Sequence, residues 1–355
     1  MKKRVEKVAI VKCKNYNEIE VEKAISKALS LAEIEIPKRK KVLIKPNVVG
    51  FFDKNQEAIT THPSIIEAIC KILKKNKNEI FIGDSSFTNP EIAFKKSGIE
   101  EVAKKYGKLI IFEQDKIIKV KDKDAKVLKR FHLPKIIKQA DLIINVPKLK
   151  THQLTKYTGA IKNLYGCIPG GMKQKLHMEA GNAKKFSKLL VDIYQNIRPK
   201  VNIMDGVVGM EGKGPTSGKP KKAGYILASK NTISLDVACV KLMGYKPKKI
   251  LAIKEAIKRK LGNLKFDLKG MKKLPNLHFE KPFVQEKLSK KILKMFKQKP
   301  IIVDKKKCIK CGLCAKKCPA QAIRLNPYPE IDKKKCIRCF CCMEVCPQHA
   351  LSLKE

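Results

Sequence analysis

The chain has 355 residues, enough for one large domain or two smaller ones, with 79 Lys and Arg against 33 Asp and Glu and a formal net charge of +46. No run approaches the roughly 20 apolar residues that span a bilayer, and Met1-Lys2-Lys3-Arg4 leads into Val5-Glu6-Lys7 rather than the apolar stretch of a secretory signal. The basic residues are nearly all lysine, with seven arginines, and are spread evenly; nucleic-acid readout favours arginine and clustered surfaces, so the charge points to an anionic small molecule or an acidic redox partner instead.

Taken in order, apolar runs of strand length alternate with amphipathic runs of helix length. Lys7–Cys13 reads as a strand, Glu18–Ala32 as a helix, and Lys41–Val49 begins as a buried strand. Helix Pro63–Lys75, strand Glu79–Ile82, helix Pro90–Tyr106 and strand Leu109–Phe112 follow, then a hairpin of Lys116–Val120 with Lys126–His132, and a buried strand at Asp141–Val146. A polar loop comes next, with helices near Leu154–Tyr165 and Ala183–Ile197. Then come a strand at Val201–Met204, a glycine-rich loop, a strand at Gly224–Ala228, and helices at Ser234–Met243 and Lys248–Lys260. This alternation predicts an α/β domain over residues 1–260 with a mostly parallel sheet and flanking helices. Residues 261–300, with Gly262, Gly270, Pro275 and Pro282, read as a linker with one short helix near Val284–Phe296.

Residues 301–355 form the last expected domain, and nine of the 13 cysteines lie there. The other four, Cys13, Cys70, Cys167 and Cys239, are scattered singly, so a reducing, cytoplasmic setting is expected rather than a disulfide framework. Eight of the nine form two runs, Cys308-x2-Cys311-x2-Cys314-x3-Cys318-Pro319 and Cys336-x2-Cys339-x2-Cys342-x3-Cys346-Pro347. Three closely spaced thiolates cap three corners of an iron–sulfur cube, and the fourth, before proline, characteristically reaches the other cube. One cluster would then be held by Cys308, Cys311, Cys314 and Cys346, and the second by Cys336, Cys339, Cys342 and Cys318. The runs belong to a repeat: Val303-Asp304-Lys305-Lys306-Lys307-Cys308 returns 28 residues later as Ile331-Asp332-Lys333-Lys334-Lys335-Cys336. Paired C-x2-C motifs also suit tetrahedral zinc, but zinc sites rarely use a third cysteine at this spacing followed by C-P. On these motifs the segment resembles the bacterial two-cluster ferredoxins, which implies two 4Fe-4S clusters in a small α+β domain. Too small for a self-sufficient core, it would draw much of its folding free energy from metal. Cys341 duplicates no ligand position and is expected to pack.

In open α/β sheets, ligands bind beyond the carboxyl ends of the strands. A polar set falls there: Lys45-Pro46-Asn47, Asp84-Ser85-Ser86, Pro147-Lys148-Leu149-Lys150-Thr151-His152, Thr158-Gly159-Ala160-Ile161-Lys162-Asn163, and Asp205-Gly206 with Gly209-Met210-Glu211-Gly212-Lys213-Gly214-Pro215. These motifs are similar to those of the family called domain of unknown function 362, often fused to a two-cluster ferredoxin tail. That resemblance covers about residues 5–260 and implies a domain arrangement without an established reaction. The glycine loop matches neither the nucleotide-hydrolase nor the dinucleotide pattern.

Physical reasoning assigns Lys45, Asn47, Lys148, Lys150, Lys162 and Asn163 to an anion cradle. It assigns proton handling to His152 with Glu211 or Asp205. His62, before Pro63, is expected to cap a helix. The leading expectation is a ferredoxin-dependent oxidoreductase fed by an external low-potential electron donor or acceptor protein. Its alternative is an electron-transfer subunit or adaptor of a larger complex, with no reaction of its own.

Overall fold

A computed structural model describes residues 5–52, 56–282 and 300–353. Its strands are β1 (Lys7–Lys12), β2 (Lys41–Lys45), β3 (Glu79–Asp84), β4 (Lys108–Ile111), β5 (Ile117–Lys121), β6 (Arg130–Pro134), β7 (Leu142–Asn145), β8 (Lys148–His152), β9 (Lys156–Thr158), β10 (Val201–Glu211), β11 (Lys219–Ser229), β12 (Asp267–Lys269), β13 (Ile301–Val303), β14 (Ile323–Asn326), β15 (Tyr328–Ile331) and β16 (Leu351–Leu353). The large sheet runs β12-β1-β11-β10-β7-β2-β3-β4, with β8 paired to β10 and β9 to β8. Most neighbouring strands are parallel; the antiparallel pairs are β1 with β11, β10 with β11 and β8 with β9. The mostly parallel α/β sheet expected from the alternating pattern is therefore observed.

Buried parallel strands need cover on both faces, and their side chains show it. Val42 and Ile44 join the core under helices Glu18–Leu31 and Pro63–Lys75, whereas Leu43 joins the opposite core under Ala183–Ile197 and Thr232–Leu242. Several details differ from the sequence reading; the helix expected near Leu154–Tyr165, for one, opens as strand β9 and is confined to Ala160–Asn163. Helix Pro90–Tyr106 is two helices, Pro90–Lys96 and Ile99–Tyr106, because Gly98 turns at φ 75. The segment expected as a polar loop is a buried strand, β8, and much of the glycine-rich loop continues strands β10 and β11. Residues 261–282 are not free linker, since β12 pairs in parallel with β1 and Phe279 is buried. The helix expected at Val284–Phe296 lies outside the described residues. Among the described residues, no helix is long and apolar enough to cross a membrane.

The cysteine-rich unit has the pseudo-two-fold form that its repeat predicts. β13, entering the first half, pairs with β16, leaving the second; β14, leaving the first, pairs with β15, entering the second. The backbone N–H of Asp304 donates to Ala350 O and that of Asp332 to Ala322 O, both at 2.8 Å. Helices Leu313–Lys316 and Cys341–Glu344 hold equivalent positions.

Candidate functional site: a lysine cavity walled by the cysteine-rich unit

Register gathers the polar residues at one end of the sheet. Lys45 of β2 lies opposite Asn145 of β7, which lies opposite Asn202 of β10, and Asp84 ends β3. Lys45 Nζ donates to Asp84 Oδ1 at 2.6 Å, and Asp84 Oδ2 accepts from the Val48 N–H at 2.7 Å. Asn163 Nδ2 donates to Asn145 Oδ1 at 2.8 Å, fixing the short helix Ala160–Asn163 onto the sheet. Asp236 holds that helix from below, accepting from the N–H groups of Ala160 and Ile161 and from the Tyr157 hydroxyl. Burial raises its carboxyl to about 6.

Lys148 is neutralised in the same manner as Lys45. Its Nζ lies 2.8 Å from Asp205 Oδ2 and 2.6 Å from the Tyr16 hydroxyl. Asp205 also accepts from Tyr16 and from the His62 N–H, so its lone pairs are spent on structure. His62 caps its helix through Nδ1, and burial pushes its imidazole down to about 4.

Three lysines are arranged differently. Lys150 donates to Ile59 O at 2.6 Å, Lys173 donates to Ser85 O at 3.1 Å, and Lys162 lies over the Tyr165 ring. Among the described residues, no carboxylate comes within ion-pair distance of any of them. All three line one cavity with Asn47, Asp84, Thr158, Asn163, Tyr165 and Glu344. Burial, the largest influence on each, pulls the ammonium groups below their ordinary range, Lys173 to about 8.

Glu344 comes from the cysteine-rich unit, and its carboxylate Oε1 lies 3.2 Å from His152 Nε2, poorly aligned for a hydrogen bond. His152 Nδ1 accepts from the N–H groups of Leu154 and Thr155, which leaves Nε2 to carry the proton of the neutral ring. Burial pushes that imidazole down to about 4. Burial alone would raise the Glu344 carboxyl, but His152 and Lys162 beside it hold it below the usual carboxylate range. The glycine loop clamps the same wall: Thr151 Oγ1 donates to Gly212 O, and Ser217 Oγ lies 2.9 Å from His349 Nδ1.

Of the residues proposed from sequence, Asn47, Lys150, Lys162 and Asn163 line the cavity. Lys45 and Lys148 stand behind it in closed pairs. His152 reaches it through Glu344. Glu211 does not line it, because its carboxylate is held by Lys221 at 3.0 Å and by the Glu280 N–H at 2.9 Å. Lys173 and Glu344 escaped the sequence reading. A signal for Glu344 existed in the repeat, where Ala315-Lys316-Lys317 becomes Met343-Glu344-Val345, and the second trio is buried. That broken symmetry marks the half that faces the sheet.

The cysteines fall into two neighbourhoods. Cys314 feels the charges of Cys308, Cys311 and Cys346, while Cys336 feels Cys339 and Cys318. Cys342 feels Cys336, Cys339 and Cys318, and also Cys314 of the other set. Cys318 Sγ accepts from the Ala322 N–H and Cys346 Sγ from the Ala350 N–H, both at 3.2 Å. Among the described residues, no three His, Cys, Asp or Glu side chains converge as they would around a single ion. Cys311 is exposed, whereas Cys339 lines a crevice with His177 and Phe186, and Tyr165 feels the charge of Cys339 and Cys341. His177 packs between Tyr165 and Phe186, and Cys341 is buried.

Comparison with known proteins adds the following. Residues 42–241 match the family described as Domain of unknown function (DUF362), and residues 307–350 match a 4Fe-4S dicluster domain. A thylakoid-associated protein of Synechocystis sp. (strain ATCC 27184 / PCC 6803 / Kazusa) is 33% identical over 214 residues, 58% of this chain. The match spans 64% of that relative's length. Among solved structures, the lactate racemase apoprotein from Thermoanaerobacterium thermosaccharolyticum aligns at a TM-score of 0.43 and 13% identity, covering 66% of this chain and 56% of that one. A protein from Thermotoga maritima aligns at a TM-score of 0.36 and 13% identity, covering 56% and 52%.

Proposed function

The chain belongs to the DUF362 family, here joined to a 4Fe-4S electron-transfer domain, and from that premise we propose a ferredoxin-dependent oxidoreductase that passes electrons to an anion held in the lysine cavity. The observation that carries this reading is the shared wall. Glu344 lies between Cys342 and Cys346 in sequence and lines the cavity beside Lys150, Lys162 and Lys173.

In this reading Cys308, Cys311, Cys314 and Cys346 hold an outer cluster, and Cys336, Cys339, Cys342 and Cys318 hold an inner one. The exposure of Cys311 and the placement of Cys339 against the α/β unit support that order. When bound, the clusters supply single electrons. Tyr165, which lines the cavity and feels the charge of Cys339 and Cys341, links the inner cysteines to the cavity in this reading. Lys150, Lys162 and Lys173 bind and orient the anion, with Asn47 and Asn163 at its rim. His152 presents the Nε2 proton toward Glu344, which offers a route for protons that accompany the electrons. Lys45, Lys148 and Asp205 position the frame.

Anaerobic purification with iron and sulfide quantified is expected to give about eight irons, and native mass spectrometry is expected to show a retained anion. Lys150→Met with Lys162→Met should lose that anion while keeping the iron and its EPR signals. Retention of a stoichiometric protein partner, with no small ligand and no effect of the lysine variants, would favour the electron-transfer subunit instead.

A further inference from the structure

The cavity's charges and its unpaired acceptors specify more than "an anion". Asp84 is already matched by Lys45, so of the groups that line the cavity three ammonium groups face one remaining carboxylate, Glu344, while Glu113 near Lys173 lies outside the lining. A ligand with two negative charges balances that set. The free space is about 40 Å³, where a single water needs roughly 10–15 Å³. That admits a group of a few non-hydrogen atoms and excludes a nucleotide or a sugar.

The lining also presents acceptors that lack a well-aligned donor. Asn47 Oδ1 is buried and without a hydrogen-bond partner, Glu344 Oε1 meets only the poorly aligned Nε2–H of His152, and both residues line the cavity. A fully deprotonated oxyanion would set its lone pairs against these oxygens, and a buried acceptor left unmatched is costly. An oxyanion that keeps one O–H satisfies an acceptor with that proton and the ammonium donors with its other oxygens.

We propose that the cavity takes a compact dianionic oxyanion that retains one proton, hydrogenphosphate being the simplest, and discriminates against sulfate, which has the same size and charge but no proton to give. This rests on the reading of the cavity as the anion site and adds its chemical class. Lys150, Lys162 and Lys173 supply charge; Glu344 and Asn47 supply the selection.

Calorimetric titration of the full cluster-loaded chain with inorganic phosphate and then with sulfate, in chloride buffer, tests it. Phosphate is expected to bind about tenfold or more tighter than sulfate, the cost of one unmatched buried acceptor. Lys162→Met should abolish phosphate binding, with iron content and melting temperature showing that the fold is kept; Lys173→Met gives the same reading if the first variant fails to fold. Glu344→Gln, which replaces an acceptor oxygen by an amide donor, should raise sulfate affinity toward that of phosphate. Equal affinity for the two anions, no phosphate binding, or phosphate binding unchanged in both lysine variants would overturn the proposal. An organic anion retained by the purified chain that phosphate does not displace would overturn it while leaving the electron-transfer reading intact.

Discussion

Lys45 and Lys148 are matched by carboxylates at 2.6 and 2.8 Å, whereas Lys150 and Lys173, as deeply buried, and the half-buried Lys162 meet carbonyl oxygens and an aromatic face. The first two behave as structure. A buried ion pair with its hydrogen bonds complete holds β2 to β3 and β8 to β10, and has little left to offer a ligand. The last three carry a desolvation cost that neighbouring carboxylates offset only in part and no ion pair among the described residues closes, which is the condition under which an external anion binds well. Within one cleft, chemistry is separated from scaffold by what neutralises each ammonium.

The largest expected effect tests the scaffold side. Asp205→Asn leaves Lys148 buried without a counter-charge and should cost about 3–5 kcal/mol, read as a fall in denaturation midpoint. A loss below about 1 kcal/mol, the range of exposed pairs, would break the contrast. Gly166 is next. A Cβ at this position would fall on Asp84 Oδ1 and Lys45 Nζ, so Gly166→Ala should destabilise by about 1–3 kcal/mol through the paired side.

The third prediction concerns pH. Burial holds Lys173 down at about 8 in the folded chain, against an ordinary value of 10.5. Between those values the unfolded chain binds the proton and the folded chain does not, so stability should rise with pH across that window. A bound dianion pulls the other way by favouring the ammonium form. Anion affinity should therefore be highest below pH 8 and fall by up to about tenfold per pH unit above it, with proton uptake visible as a buffer-dependent binding enthalpy. The smallest effect sharpens the comparison from the cavity side. Lys150→Met removes an unmatched buried charge at similar volume, so it should leave the melting temperature unchanged or raise it.

Much of the scaffold was legible because a parallel strand buried on both faces reads as a continuous apolar run, as in Val42-Leu43-Ile44 and Leu142-Ile143-Ile144. Strand β8 was not, since Lys148, Lys150 and His152 look like a loop until the partners of Lys148 and His152 are known, and those lie on β10 and in the cysteine-rich unit. Lys45, Asn47, Lys150, Lys162 and Asn163 were reachable because strand ends collect ligands. Lys173 was not, because its helix, Gly170–Ala180, opens on two glycines and lacks a clear apolar stripe. Glu344 was hidden inside a cysteine motif that already had an explanation.

The central claim is that the inner cluster and the lysine cavity share a wall, although their residues come from opposite ends of the chain. An EPR-monitored redox titration of wild type and Lys162→Met tests it directly. Removing the Lys162 ammonium should lower the midpoint potential of one cluster and leave the other unchanged. If both potentials stay where they were, the cavity does not lie beside the cluster and the account is wrong.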